Sequence, residues 1–267
     1  MMSDSLRTTF NEDATNYQAA RPGYPDALYA DIFRYMGING KETAGGGKLY
    51  AMEIGIGTGQ ATGPFLLKQI DVTAVELGDN LARAAAARFA AYKNLHVVVG
   101  DVMEVYPDPA RPQFDLIYAA TAFHWLPEAD SYRKMRDLLL PDGVLALFWN
   151  HPNMRNPEDE TNLAAGAVYD RLRPSPVKRK PFTAEQTAAR EEKLRENGFR
   201  DVEVRLYERI RELSTEEYIA LLNTYSDHRA LEPALKARFE SEMRSALGEV
   251  GDRIRIYDTI DLYLGRK

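Results

Sequence analysis

Three acidic residues around a glycine turn are the groups in this 267-residue sequence best suited to chemistry. They are Glu53, within Glu53-Ile54-Gly55-Ile56-Gly57-Thr58-Gly59, then Glu76, then Asp101. Each ends a short apolar run, at 49–54, 72–75 and 95–99, so a parallel sheet would carry all three to one edge, where open α/β sheets bind ligands. Glycines let the turn's backbone approach a ligand closely. A carboxylate just ahead of the turn selects a ligand that is cationic or rich in hydrogen-bond donors, and it repels phosphate.

A second group, Phe123-His124-Trp125, follows a further apolar run at 114–119. A histidine there can serve as a general base near neutral pH, and it reads equally well as a packed wall residue with Trp125 in the core. His96, His151 and His228 have no metal-ligand spacing, so no metal is expected. The absence of cysteine removes disulfides, thiolate catalysis and thiolate-bound metals.

Other glycine motifs fit poorly. A dinucleotide fingerprint counted from Gly55 and Gly57 requires glycine at position 60, where Gln60 stands. Gly47-Lys48 is followed by Leu49 and precedes a strand, which excludes a phosphate-binding P-loop. The one Tyr-x-x-x-Lys pair is Tyr263 with the terminal Lys267.

The elements that must position these residues alternate between strand and helix. Strands are expected at 49–54, 72–76, 95–99, 114–119 and 144–149, as nearly continuous apolar runs buried on both faces. Helices are expected at 59–69, at 79–92 with Asp79 as its cap, and at 129–140, stopped by Pro141-Asp142-Gly143. Two helices, 11–20 and 25–36, and a loop around Gly45-Gly46-Gly47 precede this core. One helix within 152–181, helices at 184–197, 215–223 and 233–247, and strands at 202–210 and 253–264 follow it. The last strand alternates, as one with a wet face would.

With 45% hydrophobic residues the chain can bury one large core. A net charge of −6, from 34 basic and 40 acidic residues, leaves no phosphate-neutralising excess and disfavours nucleic acid as partner. No apolar run is long enough to span a membrane and no signal segment opens the chain, so a cytoplasmic protein is expected. The run Arg171, Arg173, Lys178, Arg179 and Lys180 reads as a solvated loop.

The glycine run resembles the first motif of class I S-adenosylmethionine-dependent methyltransferases. Glu76 matches the acid ending that family's second strand, Gly100-Asp101-Val102 the segment after the third, and Phe114-Asp115-Leu116-Ile117 the start of the fourth. Arg21-Pro22-Gly23-Tyr24-Pro25, Phe123-His124-Trp125 and Thr224-Tyr225-Ser226 resemble the small-molecule branch that includes trans-aconitate methyltransferases. The resemblance implies a Rossmann-like, doubly wound, mostly parallel seven-stranded sheet with an antiparallel last strand and a helical cap. Residues 1–48 would close over the cofactor, 49–150 form the cofactor-binding core, 151–235 the cap and acceptor pocket, and 236–267 the last helix and strand.

The resemblance further implies S-adenosylmethionine as cofactor, leaving S-adenosylhomocysteine as product. Glu53, through water or directly, would accept from its amino group, with Gly55 and Gly57 against its methionine part, and Thr58, Gly59 and Ala119 are further cofactor-binding candidates. Glu76 would take the ribose hydroxyls, Asp101 the adenine amino group, Val102 the ring through its backbone N–H, and Leu77 the adenine face. Tyr17 and Arg21 would close over the cofactor and pair with its carboxylate. His124 is the catalytic candidate, and Trp125, Tyr169, Arg173, Tyr225 and His228 join it as acceptor-pocket candidates. The expected activity is methyl transfer to a small molecule, with carboxylic acids among the acceptors, in a monomer or homodimer. The alternatives are a nicotinamide-dependent oxidoreductase and a methyltransferase acting on RNA or protein.

Overall fold

The computed structural model describes residues 20–38, 47–105, 113–174 and 182–267. Helix α1 (Asp26–Met36) leads into β1 (Tyr50–Ile54), α2 (Gly63–Leu67), β2 (Asp71–Glu76), α3 (Asp79–Arg88), β3 (Leu95–Val99) and β4 (Phe114–Ala120). Then come α4 (Glu128–Leu138), β5 (Leu139–Asn153), α5 (Glu160–Leu172), α6 (Ala188–Glu196) and β6 (Arg200–Ser214). Helices α7 (Thr215–Leu222), α8 (Ser226–Arg229) and α9 (Pro233–Gly248) precede β7 (Arg253–Arg266).

The seven strands form one sheet in the order β3-β2-β1-β4-β5-β7-β6. Strands β1 to β5 run parallel, and β7 is antiparallel to both β5 and β6. This is a doubly wound, Rossmann-like sheet, as expected. The order reverses between β1 and β4, so the loops after these strands diverge there and leave a crevice.

Apolar runs become central strands because both of their faces are covered. Phe65, Tyr118 and Phe148 pack on one face with α1, while Met52, Ile117, Met135, Leu145 and Leu194 pack on the other. Helix α1 buries Leu28, Ile32 and Tyr35 at helical spacing and stops at Gly37, whose φ of 77° is left-handed. A third cluster joins α5, α7 and α9 through Val168, Tyr218, Leu222, Phe239 and Met243 to Ile254 and Ile256 of β7. The last helix therefore packs in the cap layer.

Several expectations shift. Asp79 is the first helical residue of α3 and pairs with Arg83, while Gly78 holds the cap position without a side-chain bond. Pro141-Asp142-Gly143 lies inside β5 rather than before it: Asp142 takes a φ of 66°, and the pairing with β4 shifts between Phe114 and Leu116, so a bulge absorbs the turn. The alternation expected of β7 holds from 253 to 259, but 260–265 is buried throughout because β5 and β6 flank it and helices cover it. The helix expected at 11–20, apart from Ala20, lies outside the described residues, as do Gly45, Gly46, Lys178, Arg179 and Lys180. Among the described residues no helix is long and apolar enough to cross a membrane.

Candidate functional site

After β1 the chain turns through Gly55, Gly57 and Gly59, with φ of 66°, 58° and 83°, a region costly for side-chain-bearing residues. A Cβ on Gly55 would lie 2.8 Å from that of Ala122, so the turn touches the segment after β4. The Gly55 N–H donates to the Val75 carbonyl (2.8 Å) and the Gly59 N–H to the Ile56 carbonyl (2.8 Å). The Gly57 N–H donates to Glu76 Oε2 (2.9 Å). All three glycine donors are thus consumed inside the protein, the opposite of a phosphate cradle, where such donors face the ligand.

Glu76 completes this turn. Its Oε1 accepts from the Gly78 N–H (2.9 Å), so the carboxylate braces both the glycine turn and the start of α3. Burial pushes its pKa up, and the N–H donors from Gly78, Gly57 and Leu77 pull against it.

A cleft opens over the turn at the switch point. On the β2–β3 side it is lined by Glu76, Leu77, Gly100, Asp101 and Val102, with Gly55 and Gly57 beneath. Asp101 Oδ1 accepts from the Met103 N–H (2.8 Å), which orients its carboxylate. On the β4 side stand Thr121, Ala122, His124 and Trp125, and Arg21 reaches in from the N-terminal segment. Two carboxylates, apolar Leu77 and Val102, and one cation form a donor and acceptor set suited to a nucleoside with hydroxyls, an exocyclic amine and an amino-acid tail.

Other predicted site residues lie elsewhere. Glu53 is 1% exposed and does not line the cleft. It faces the interior, where its Oε2 accepts from Thr62 Oγ1 and from the Tyr118 hydroxyl, both at 2.8 Å. Strand alternation explains this: Ile54 ends β1 on the cleft side and Glu53 takes the opposite face. Burial lifts its pKa to about 7 against those two hydrogen bonds, with the Glu76 charge adding to the rise.

Thr58 and Ala119 are fully buried and outside the cleft lining, and Gly59 is packed against Phe89. Tyr17 lies outside the described residues. Tyr169, Arg173 and His228 meet in the helical cap rather than at the cleft. His228 Nε2 lies 2.7 Å from Arg173 Nη1 and 3.1 Å from the Tyr169 hydroxyl. Tyr225 stands behind the cleft, its ring centroid 4.4 Å from the Arg21 guanidinium carbon.

His124 is fixed by the indole of Trp149, whose Nε1–H donates to Nδ1 (3.0 Å). Surrounding protein first, then Arg190 and His151, push the imidazole pKa down to about 4. The ring is exposed to the cleft, which tempers the first cause, but all three act in one direction and leave the ring neutral at pH 7. The lone pair a base would use at Nδ1 is already engaged.

Thr121 was not among the expected site residues. It lines the cleft with a φ of 55°, donates its backbone N–H to the Phe148 carbonyl (2.8 Å), and lies 2.8 Å, oxygen to oxygen, from the Tyr24 hydroxyl. Left-handed backbone at a β-branched residue marks strain of the kind stored at functional sites, and no spacing rule reveals it. Leu81 and Leu126 also line the cleft. Their sequence signal, an apolar residue in the first turn after a strand, does not differ from that of core residues.

A family model described as a methyltransferase domain matches residues 51–143, the stretch that carries the turn, all three acids and β4. An uncharacterized methyltransferase of Schizosaccharomyces pombe is 23% identical over 237 residues, covering 88% of this chain and 85% of that protein. A ribosomal RNA small subunit methyltransferase A from a Synechococcus strain is 36% identical over 87 residues, covering 33% of this chain and 30% of its own length. Among solved structures, the Haemonchus contortus phosphoethanolamine N-methyltransferase 2 bound to phosphomonomethylethanolamine and S-adenosylhomocysteine superposes with a TM-score of 0.52 at 17% identity. It covers 97% of this chain and 60% of that one.

Proposed function

We propose that this S-adenosylmethionine-dependent methyltransferase transfers its methyl group to a small-molecule acceptor, with carboxylic acids such as trans-aconitate the first class to examine. The acceptor reading rests on what flanks the cleft. Arg21 donates from Nη2 to the Thr224 carbonyl (3.1 Å) and lies over Tyr225, so the N-terminal segment and the helical cap meet beside the cleft. A narrow cleft flanked by these segments suits a compact acceptor better than a folded macromolecule. A net charge of −6 also speaks against RNA, and the similarity to the ribosomal RNA enzyme spans only a third of the chain.

When bound, S-adenosylmethionine supplies an electrophilic methyl group on a positively charged sulfur. Glu76 would accept from the ribose hydroxyls, Asp101 from the adenine amine, and Leu77 would cover the ring. Arg21 would pair with the amino-acid carboxylate. The acidic groups at the turn favour a cationic ligand over a diphosphate, with Glu53 acting from behind the turn rather than by contact. The protein's main catalytic contribution is alignment and exclusion of water, worth roughly 7–11 kcal/mol in favourable cases. Helices α5, α7 and α8, within 152–232, would act as a lid, and the enzyme would work in the cytoplasm as a monomer or homodimer.

The test is a mass-spectrometric screen for gain of one methyl group over pooled carboxylic acids, phenols and amines, with Glu76→Ala as control. Equal product from both proteins would reject the site. Arg21→Ala is expected to weaken S-adenosylhomocysteine binding about fivefold, on the order of 1 kcal/mol for one rim contact to a charged group. Calorimetric titration reads it directly, and unchanged affinity would remove Arg21 from the site.

A further inference from the structure

Behind His124 lies a fixed polar chain that none of the expected roles uses. Its root is Asp261 of β7, 0% exposed. That carboxylate accepts from Arg190 Nη1 (2.8 Å), the Tyr263 hydroxyl (2.8 Å) and the Trp149 backbone N–H (3.1 Å), and it lies 2.9 Å from His151 Nε2. Arg190 is held over the Trp149 ring, 3.9 Å from its centroid, and this locks the indole in place. An indole N–H can only donate, so His124 Nδ1 can only accept, and the single proton of a neutral imidazole must sit on Nε2. Nε2 has no protein partner among the described residues, and His124 lines the cleft.

From this geometry we infer that His124 is a fixed hydrogen-bond donor to the anionic oxygen of the methyl acceptor, so that the enzyme selects acceptors that arrive already deprotonated, carboxylates first. The inference deepens the proposed function and rests on it. The charged and titratable groups facing His124 are Arg190 of α6 and His151 of β5, and the carboxylate between them, Asp261, is taken up by both. The cleft's carboxylates, Glu76 and Asp101, lie across the glycine turn on the β2–β3 side. A carboxylate acceptor uses its own electron pair to form the new O–CH3 bond while the sulfonium–methyl bond breaks to a neutral thioether, and no proton leaves. A neutral N–H donor with no base beside it suits such an anion, whereas a neutral alcohol or an ammonium group would need a base at this position.

The experiment combines nitrogen-resolved NMR of 15N-histidine-labelled protein, saturated with S-adenosylhomocysteine, with kinetics of His124→Gln and His124→Phe on the acceptor that the pooled screen delivers. The expected spectrum has Nδ1 unprotonated and Nε2 protonated, unchanged from pH 5.5 to 8. In Trp149→Phe, which removes the indole donor and keeps a smaller aromatic ring beneath Arg190, Nδ1 should become free to protonate and its titration should move upward. His124→Gln keeps an N–H near the same place and should change KM for a carboxylate by less than about threefold. His124→Phe should raise it about tenfold without changing S-adenosylhomocysteine affinity.

A proton on Nδ1 overturns the inference. So does a wild-type acid limb near pH 6 to 7 that His124→Gln abolishes, or an unchanged KM in His124→Phe. A screen yielding only amines or alcohols also overturns it, while cofactor dependence stands. Failure to bind S-adenosylhomocysteine at all would instead reject the proposed function, and the free-protein spectrum would still report the tautomer.

Discussion

Replacing Glu76 by alanine is expected to weaken S-adenosylhomocysteine binding roughly 10- to 150-fold, the equivalent of about 1.5–3 kcal/mol for hydrogen bonds to a charged group. Two losses combine. The cleft gives up its acceptor for the ribose hydroxyls, and the Gly57 and Gly78 N–H groups lose the carboxylate that holds the glycine turn and the first turn of α3 in register. Glu76→Gln retains one oxygen acceptor and should fall between wild type and alanine. Calorimetric titration at fixed pH measures the affinity, and circular dichroism checks that the fold persists. An alanine variant that binds within twofold of wild type would show that the ligand does not lean on this carboxylate.

Glu53→Gln should flatten the pH dependence of stability. The folded carboxyl group protonates near pH 7 against about 4.5 for an unperturbed glutamate, because burial disfavours its charge more than Thr62 and Tyr118 favour it. A raised acid pKa means the folded state binds the proton more tightly. Stability contributed by this group is therefore greatest below about pH 4.5, declines as pH rises through the interval to 7, and stays reduced above it. Glu76 faces the group from β2 and Tyr29 from α1; the Glu76 charge adds to the rise.

The glutamine variant has no charge to bury. Relative to wild type it should gain about 2–3 kcal/mol between pH 5 and pH 8, from a shift of roughly 2.5 units at 1.36 kcal/mol each, less the part already incurred at pH 5. Chemical denaturation at the two pH values measures the difference. A constant gap between the two proteins would mean that Glu53 is ionised throughout.

Much of the architecture was legible in the residues. The apolar runs at 72–75 and 114–119 are strands because only a sheet covered on both faces buries such runs; the run at 95–99, expected to be buried in the same way, is instead the edge strand β3, none of whose residues is buried, because only β2 pairs with it. Gly55, Gly57 and Gly59 form a turn because each needs positive φ. Glu76 and Asp101 reach the cleft because strand ends in a parallel sheet share an edge. Less legible was the face each side chain takes. Glu53, one residue before the end of β1, looks like a ligand contact by spacing, yet the strand's two-residue period turns it into the core. Tyr169, Arg173 and His228 carry chemistry-bearing groups, yet the packing of α5 against α7 and α9 collects them into a cluster of their own.

From its sequence alone this chain is determined to be a doubly wound α/β protein whose glycine turn is flanked by acids and ill suited to phosphate. Periodicity, backbone freedom and charge are local properties, readable a few residues at a time. The tertiary structure alone decided where the glycine N–H groups go, how Arg21 meets the cap, and which nitrogen of His124 carries the proton. Those outcomes depend on Trp149, Arg190 and Asp261, or on Glu76 and Gly57, groups far apart along the chain that come within hydrogen-bond reach only once the sheet has assembled.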